Sequence, residues 1–239
     1  MLKGDLRKKQ ILETAETLFC RDGYEKTSVQ DILDVLHLSK GSFYHHYESK
    51  EQLLSMICER RAMASAEEEQ GKADLKGGIA GVDQVLSAMI PFNGAGLTFL
   101  AMILPAFSTP EGHTVRERYQ EALKQAFLPL LLTAFESAAA EKEIFCDNAP
   151  FTAGVCLDLI NDLWGAISDR MISASADAPN DEDSGERLEL LEQYRAVLEK
   201  ILVAPYGSLQ LISLADLEQL RTQISLLLRS AGGHASAGA

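Results

Sequence analysis

The apolar positions of this chain recur at helical spacing almost from its start. Ile11, Leu12, Ala15, Leu18 and Phe19 line one side of a segment from Arg7 to Cys20, and Asp22-Gly23 marks its stop. Val29, Ile32, Leu33 and Leu36 form the next stripe, with Gln30, Asp31 and Asp34 on the other side. Thr27-Ser28-Val29-Gln30 has the spacing of a capping box, so this second helix is predicted to begin near Ser28. Ser39 can cap a third helix, in which Phe43 and Tyr47, four residues apart, point inward and leave Lys40, Ser42, Tyr44 and His45 outside. A further capping box, Ser49-Lys50-Glu51-Gln52, opens a fourth helix that runs on from Leu53 to about Gln70.

Beyond the Gly77-Gly78 break the pattern predicts helices near 79–91, 95–107, 113–141, 150–174, 185–203 and 213–230. Pro91, Pro105, Pro110, Pro150, Pro179 and Pro205 separate them, and Pro129 kinks the longest. The polar, acidic stretch Ala176 to Gly185 is the clearest exposed loop. No sustained period-two alternation bounded by hairpin turns occurs, so an all-α chain is expected.

Two helices joined by Leu36-His37-Leu38-Ser39, the second with a polar outer face, have the parts of a helix-turn-helix unit. In such a unit the first helix supports and the second lies in the major groove. At these residues the chain resembles the tetracycline-repressor (TetR) family of bacterial transcriptional regulators. The matching residues are Ile11-Leu12, Leu18-Phe19, Gly23-Tyr24, Thr27-Ser28-Val29 with Ile32, and Ser39-Lys40-Gly41-Ser42-Phe43-Tyr44-His45-His46-Tyr47, running into Ser49-Lys50-Glu51-Gln52-Leu53.

The resemblance implies a three-helix helix-turn-helix DNA-binding domain over 1–48 and a larger helical ligand-binding and dimerisation domain over 49–230. A flexible C-terminal tail would occupy 231–239. It implies a homodimeric, sequence-specific regulator that binds a palindromic double-stranded DNA operator, acts as a repressor and is released by a small-molecule effector. Thr27, Tyr44 and Lys50 would meet phosphates. Lys40, Gly41, Ser42, His45 and His46 would lie near or in the major groove, with the capping residues Ser28 and Ser39 at the same face. Two positions depart from the family pattern. His37 stands where the turn usually holds Gly for a positive φ, and Tyr47 stands where Phe is common, adding a hydroxyl that needs a partner.

The regulatory domain is read more coarsely. Phe92, Phe99, Met102, Phe107, Tyr119, Phe127 and Trp164 supply an aromatic and Met inventory that could line a ligand pocket or simply fill the core. By the resemblance, the last long helices would pair between subunits. The candidate stripes are Val155, Leu159, Leu163 and Ile167, beside Gly154 and Gly165, and Leu188, Leu191, Tyr194, Leu198 and Ile201.

The formal charge of −13 is opposite to that of a DNA binder until it is divided along the chain. Residues 1–61 hold ten Lys plus Arg and ten Asp plus Glu, so the whole deficit lies beyond them. Lys3, Arg7, Lys8, Lys9, Lys40 and Lys50 can form one basic face, with Glu13, Glu16, Asp31 and Asp34 on others. The acidic remainder keeps the protein soluble and off random DNA; a preference for cationic effectors is the sharper alternative. Cys20, Cys58, Cys146 and Cys156 lack paired metal-ligand spacing and read as reduced packing residues, with a Cys146–Cys156 redox switch as the alternative. His113 and Glu117 fall four apart on a helix, a solvated pair and not a metal site. No cofactor is implied. No Ser/His/Asp or Cys/His arrangement or phosphate loop appears, so a helical enzyme is disfavoured. A regulator controlled by a protein partner or a redox change, without a small-molecule pocket, remains as a second reading. No apolar run approaches membrane-spanning length and the N-terminus lacks a signal-peptide core, so the protein is expected in the cytoplasm.

Overall fold

The computed structural model describes residues 3–72, 76–90, 94–107, 110–174, 182–213, 215–217, 219, 220, 222, 223 and 226. Among them the only regular structure is helical: α1 (Lys3–Asp22), α2 (Val29–Leu36), α3 (Lys40–Tyr44), α4 (Lys50–Gly71), α5 (Gly78–Ala88), α6 (Gly94–Phe107), α7 (Pro110–Ala140), α8 (Ala149–Ala174) and α9 (Glu182–Leu202). The all-α class expected from the pattern is the class found. Further helical residues occur at 215–217, 219, 220, 222, 223 and 226. The expected tail 231–239 and most of the expected loop 176–185 lie outside the described residues, and Glu182 onward is already helix.

The prolines act by position within a helix. Pro110 opens α7, where its missing N–H is one that the helix leaves unpaired anyway. Pro105 does not separate helices as expected, because it sits within the last turn of α6, which ends two residues later. α7 runs through Pro129, whose carbonyl accepts the Thr133 hydroxyl at 3.1 Å.

Two compact units emerge, one of Met1–Arg61, Asn93–Tyr119 and Gln223–Ala239, the other of Ala62–Phe92 and Gln120–Thr222. In the first, α1 packs on α2 and on α6, and α2 packs on α3. Ile11, Ala15, Phe19, Ile32, Leu33, Phe43, Leu53 and Ile57 have no exposed surface and make its core. Truncating one such buried ring, Phe19 or Phe43, to Ala would cost about 3–5 kcal/mol.

In the second unit, α8 packs on α5 and α9. Buried Asn161 joins α8 to α7 reciprocally, donating its amide to the Gln120 carbonyl at 3.0 Å while Gln120 donates to the Asn161 carbonyl at 3.2 Å. The start of α5 is satisfied from the end of α7. Ser137 accepts the Gly78 N–H at 3.0 Å, and the Glu143 carboxylate accepts the Ile79 N–H at 2.6 Å, where the helix dipole favours negative charge. After α9 the chain is held by carboxylates: Asp83 accepts the N–H groups of Gln210 and Leu211, both at 2.8 Å, and buried Glu199 accepts that of Leu209 at 3.0 Å.

Candidate nucleic-acid interface

The helix-turn-helix segment is built from local rules. α2 is capped by Ser28, not by Thr27 as expected: the Ser28 hydroxyl accepts the Asp31 N–H at 3.2 Å, and Asp31 accepts the Ser28 N–H at 2.7 Å. Asp31 outcompetes Gln30 because a shorter carboxylate at the third helical position reaches back to the cap and also complements the dipole. The Ser28 hydroxyl, then its backbone N–H, hold the Asp31 carboxyl below the usual range. At the other end the chain closes in a Schellman arrangement, with Leu38 N–H on the Leu33 carbonyl at 2.9 Å and His37 N–H on the Asp34 carbonyl at 3.3 Å. His37 takes φ 52°, ψ 47°, the left-handed conformation expected of that position.

α3 is a single capped turn fixed from beneath. Ser39 accepts the Ser42 N–H at 3.4 Å, and the turn continues as His46 and Tyr47 donate to the Phe43 carbonyl at 2.8 and 2.9 Å. Phe43 and Tyr47 are buried with their rings 5.7 Å apart. The Tyr47 hydroxyl finds its partner across the unit, donating to the Lys8 carbonyl of α1 at 2.8 Å; burial pushes its pKa up to about 12, so it stays a donor. With that underside committed to α1, Ser39, Lys40, Gly41, Tyr44 and His45 are exposed, and Ser42 and His46 half-buried. Tyr44, 58% exposed, stands with its ring edge-on to Phe43 at 5.3 Å. The His45 and His46 rings meet edge to face at 4.9 Å.

Two residues expected at phosphates are placed otherwise. Thr27 is only 2% exposed, and its hydroxyl donates to the Gly23 carbonyl at 2.9 Å, which leaves no surface for a phosphate. Lys50, half-buried, directs its ammonium group at the protein, donating to the carbonyls of Tyr24 at 3.1 Å and Thr27 at 3.3 Å, 4.1 Å from the Tyr24 ring centroid. Of the expected basic face, Lys8, Lys9 and Lys40 are exposed, Lys9 pairs with Glu13 at 3.7 Å, and the Lys3 side chain lies outside the described residues. Glu16, expected on an outer face, is buried and paired to both Arg60 and Arg61 of α4. Its signal was available in the sequence, for Glu16 lies four residues after Leu12 on the edge of the apolar stripe.

The expected pocket residues divide between the units. Phe99, Met102, Phe107 and Tyr119 are buried in the first, where Tyr119 lies 6.0 Å from Phe99 and 6.4 Å from Phe107. The Arg61 guanidinium lies 5.5 Å from the Phe99 ring centroid, and burial raises the Tyr119 pKa. Phe127 and Trp164 are buried in the second unit, and Phe92 lies outside the described residues.

The expected dimer stripe also divides. Leu163, Ile167, Leu191 and Leu198 are consumed by the chain's own packing, having at most 5% of their surface exposed, so they cannot meet a partner. Val155, Leu159, Tyr194 and Ile201 are half-exposed and Leu188 exposed. Phe151 at 70% and Val197 at 43% extend that outer stripe; Phe151 was legible as the residue four before Val155. The Tyr194 hydroxyl donates to Asp162, joining α9 to α8 along this face.

All four Cys are free, with Cys58 and Cys156 buried; burial pushes the Cys156 thiol up to about 12. His113 and Glu117 are exposed on α7. Among the described residues no group of three or more His, Cys, Asp or Glu is arranged to hold a metal ion, and no helix is long and apolar enough to cross a membrane.

Residues 11–57 match the sequence model of the bacterial regulatory proteins of the tetR family. Over 53 residues, 22% of this chain and 18% of the relative, the chain is 42% identical to an uncharacterised HTH-type transcriptional regulator, YerO, of Bacillus subtilis. Over 51 residues, 21% of this chain and 25% of the relative, it is 41% identical to the HTH-type transcriptional repressor KstR2 of Rhodococcus jostii. The matches thus span about a quarter or less of these relatives' own length. Among solved structures, GusR of Salmonella enterica superposes with a TM-score of 0.51 at 18% identity, over 85% of this chain and 99% of that one, which extends the likeness in fold beyond residues 11–57.

Proposed function

We propose, for a chain that belongs through residues 11–57 to the tetR family of bacterial regulatory proteins, that it is a cytoplasmic, homodimeric, sequence-specific DNA-binding regulator that represses transcription. The observation that carries this reading is the exposed polar face of α3, Lys40, Gly41, Tyr44 and His45, raised on the fully committed underside of Phe43 and Tyr47. A core helix does not present such a set, and a major groove is where it finds partners: Lys40 and His45 can donate to guanine acceptors, Gly41 permits close backbone approach, and the Tyr44 hydroxyl reaches a phosphate oxygen.

Two reading heads are needed for a palindromic operator, and the outer stripe of Phe151, Val155, Leu159, Tyr194, Val197 and Ile201 supports pairing of α8 and α9 with their copies. Release follows from a small-molecule effector that favours the arrangement of heads in which the operator is bound poorly. Phe99, Met102 and Phe107 of α6 and Tyr119 of α7, all within the first unit, are the residues that would line its site.

Selection of bound sequences from a random duplex pool tests the reading, run with wild type, Tyr44→Phe and Lys40→Ala. Wild type should enrich a two-fold symmetric sequence. Tyr44→Phe should weaken binding to all sequences alike, whereas Lys40→Ala should change the preferred base at one position per half-site. No enrichment, or three identical outcomes, would overturn the assigned face.

A further inference from the structure

Tyr119 of α7 carries a hydroxyl that its own chain does not use. The residue is 2% exposed, yet among the described residues its hydroxyl has no hydrogen-bond partner. The other buried tyrosines are satisfied: Tyr47 donates to the Lys8 carbonyl at 2.8 Å and Tyr24 to the Glu51 carboxylate at 3.5 Å. A phenylalanine would fill the same space with no polar group to desolvate, so the Tyr119 hydroxyl calls for a partner from outside the chain. Burial, then the Cys58 thiol, raises its pKa and keeps it a protonated donor. Its surroundings, all in the first unit, are apolar rings and a cation. The Phe99 and Phe107 rings lie 6.0 and 6.4 Å from that of Tyr119, and the Arg61 guanidinium stands 5.5 Å from the Phe99 centroid. Arg61 is about a third exposed, which leaves it within reach of a ligand from solvent.

We propose that the effector is an apolar carboxylate, whose body lies among Phe99, Met102 and Phe107 and whose carboxylate accepts from the Tyr119 hydroxyl and meets the Arg61 guanidinium. The proposal rests on the effector-controlled reading above and gives that effector a chemical class. A neutral hydrocarbon would leave the hydroxyl unpaired, and a cation would face a guanidinium. A carboxylate answers both groups, and a hydrogen bond to a charged acceptor is stronger than one to a neutral acceptor. Arg61 can turn to such a ligand without stranding Glu16, because Arg60 pairs with the same carboxylate. The turn would remove one of two ties between α1 and α4 within the first unit, and a ligand that favours the loosened state lowers affinity for duplex.

The test is calorimetric titration of the full chain, as wild type, Tyr119→Phe and Arg61→Gln. The probes are benzoate, phenylbutyrate, naphthoate and decanoate, each beside the primary carboxamide and the amine of the same skeleton. At least one carboxylate should bind wild type, tenfold or more tightly than its carboxamide, with its amine weaker still. Tyr119→Phe should weaken that carboxylate by roughly tenfold or more, and so should Arg61→Gln, in which Arg60 still holds Glu16. Without ligand, Tyr119→Phe should melt no lower than wild type, since the hydroxyl it deletes has no partner in the chain. A lower melting temperature would show that the chain does use the hydroxyl, and would overturn the proposal. So would the binding of no carboxylate, a carboxamide or amine that binds as tightly, or full carboxylate affinity in Tyr119→Phe. The bound carboxylate should also release wild type from the selected duplex, read by fluorescence anisotropy; binding without release overturns its role as effector. Protein that binds the carboxylate but never retains duplex supports the site and overturns the DNA-binding reading instead.

Discussion

Replacing His37 tests whether the turn between the two helices of the reading head is set by backbone conformation or by the imidazole. His37 is exposed and holds φ 52°, ψ 47°, with its N–H and that of Leu38 closing the end of α2. A left-handed conformation costs an ordinary L-residue about 1–2 kcal/mol, and His is among the side chains that tolerate it better. Glycine removes that cost, while its freer unfolded chain returns about 0.4–1 kcal/mol. His37→Gly should therefore be as stable as wild type or more so, and His37→Ala less stable than His37→Gly by about 1 kcal/mol. That gap corresponds to roughly a fivefold change in the local opening constant, readable as amide hydrogen exchange of Ile32 to Phe43. Operator preference should survive in His37→Gly. An alanine variant protected as well as the glycine variant would refute the conformational account, and a glycine variant less protected than wild type would show that the imidazole itself stabilises the turn.

Two further predictions concern carboxylates that hold helices. Glu16→Gln leaves Arg60 and Arg61 without their shared partner; both guanidinium side chains are about a third exposed, so solvent relieves them and the loss should be about 1–2 kcal/mol, below that of a fully buried pair. Faster amide exchange in α1 checks it, and exchange equal to wild type would mean the pairing contributes nothing. Gly78→Ala strains a residue at φ 61° and sets its Cβ on the Glu143 carboxylate that accepts the Ile79 N–H; the combined cost should be about 2–4 kcal/mol. The single tryptophan, Trp164, lies in the same unit, so urea unfolding followed by its fluorescence reads the loss directly; an unshifted midpoint would exclude the strain.

Much of the head was legible because its determinants are local. Caps, helical spacing and the inward Phe43–Tyr47 pair depend on residues within about one turn of each other, whereas the left-handed conformation of His37 was expected from the family pattern, whose turn usually holds Gly there. What escaped reading depends on distance in sequence. Tyr47 finds Lys8 across 39 positions, Glu16 finds Arg60 and Arg61 across 44 and 45, and Lys50 finds Tyr24 across 26. No period in the chain announces those partners. The error at Thr27 was of another kind: Thr27 and Ser28 both precede a side chain three residues on that can close a capping box, and only packing against α1 decides which hydroxyl faces in. In the second unit the stripes of α8 and α9 were visible, but an apolar stripe does not say whether its partner is in the same chain. Burial of Leu163 and Leu198 and exposure of Phe151 divide one stripe into an inner and an outer part.

The charge arithmetic of the head bears on why it would work in pairs. Its ten cations are matched by ten acids, and several are committed within the fold: Arg60 and Arg61 to Glu16, Arg21 to Asp22, Lys9 to Glu13, and Lys50 to two carbonyls. Each phosphate neutralised adds about 0.9 to the salt dependence of binding, and this counterion release supplies essentially all non-specific affinity. A head in which half of the cations are so engaged gains less from it, and the acidic remainder of the chain disfavours approach to random duplex. Occupancy must then come from base-edge contacts of a five-residue helix, which reach only a few base pairs. Joining two heads through the outer stripe, as proposed, would make the second contact intramolecular, raising affinity for a correctly spaced two-fold site without adding a charge to either head. On the proposed reading the same arithmetic would make the regulator easy to dislodge, because an effector that changed only the spacing of the heads would remove the second contact and leave little electrostatic attraction to hold the first.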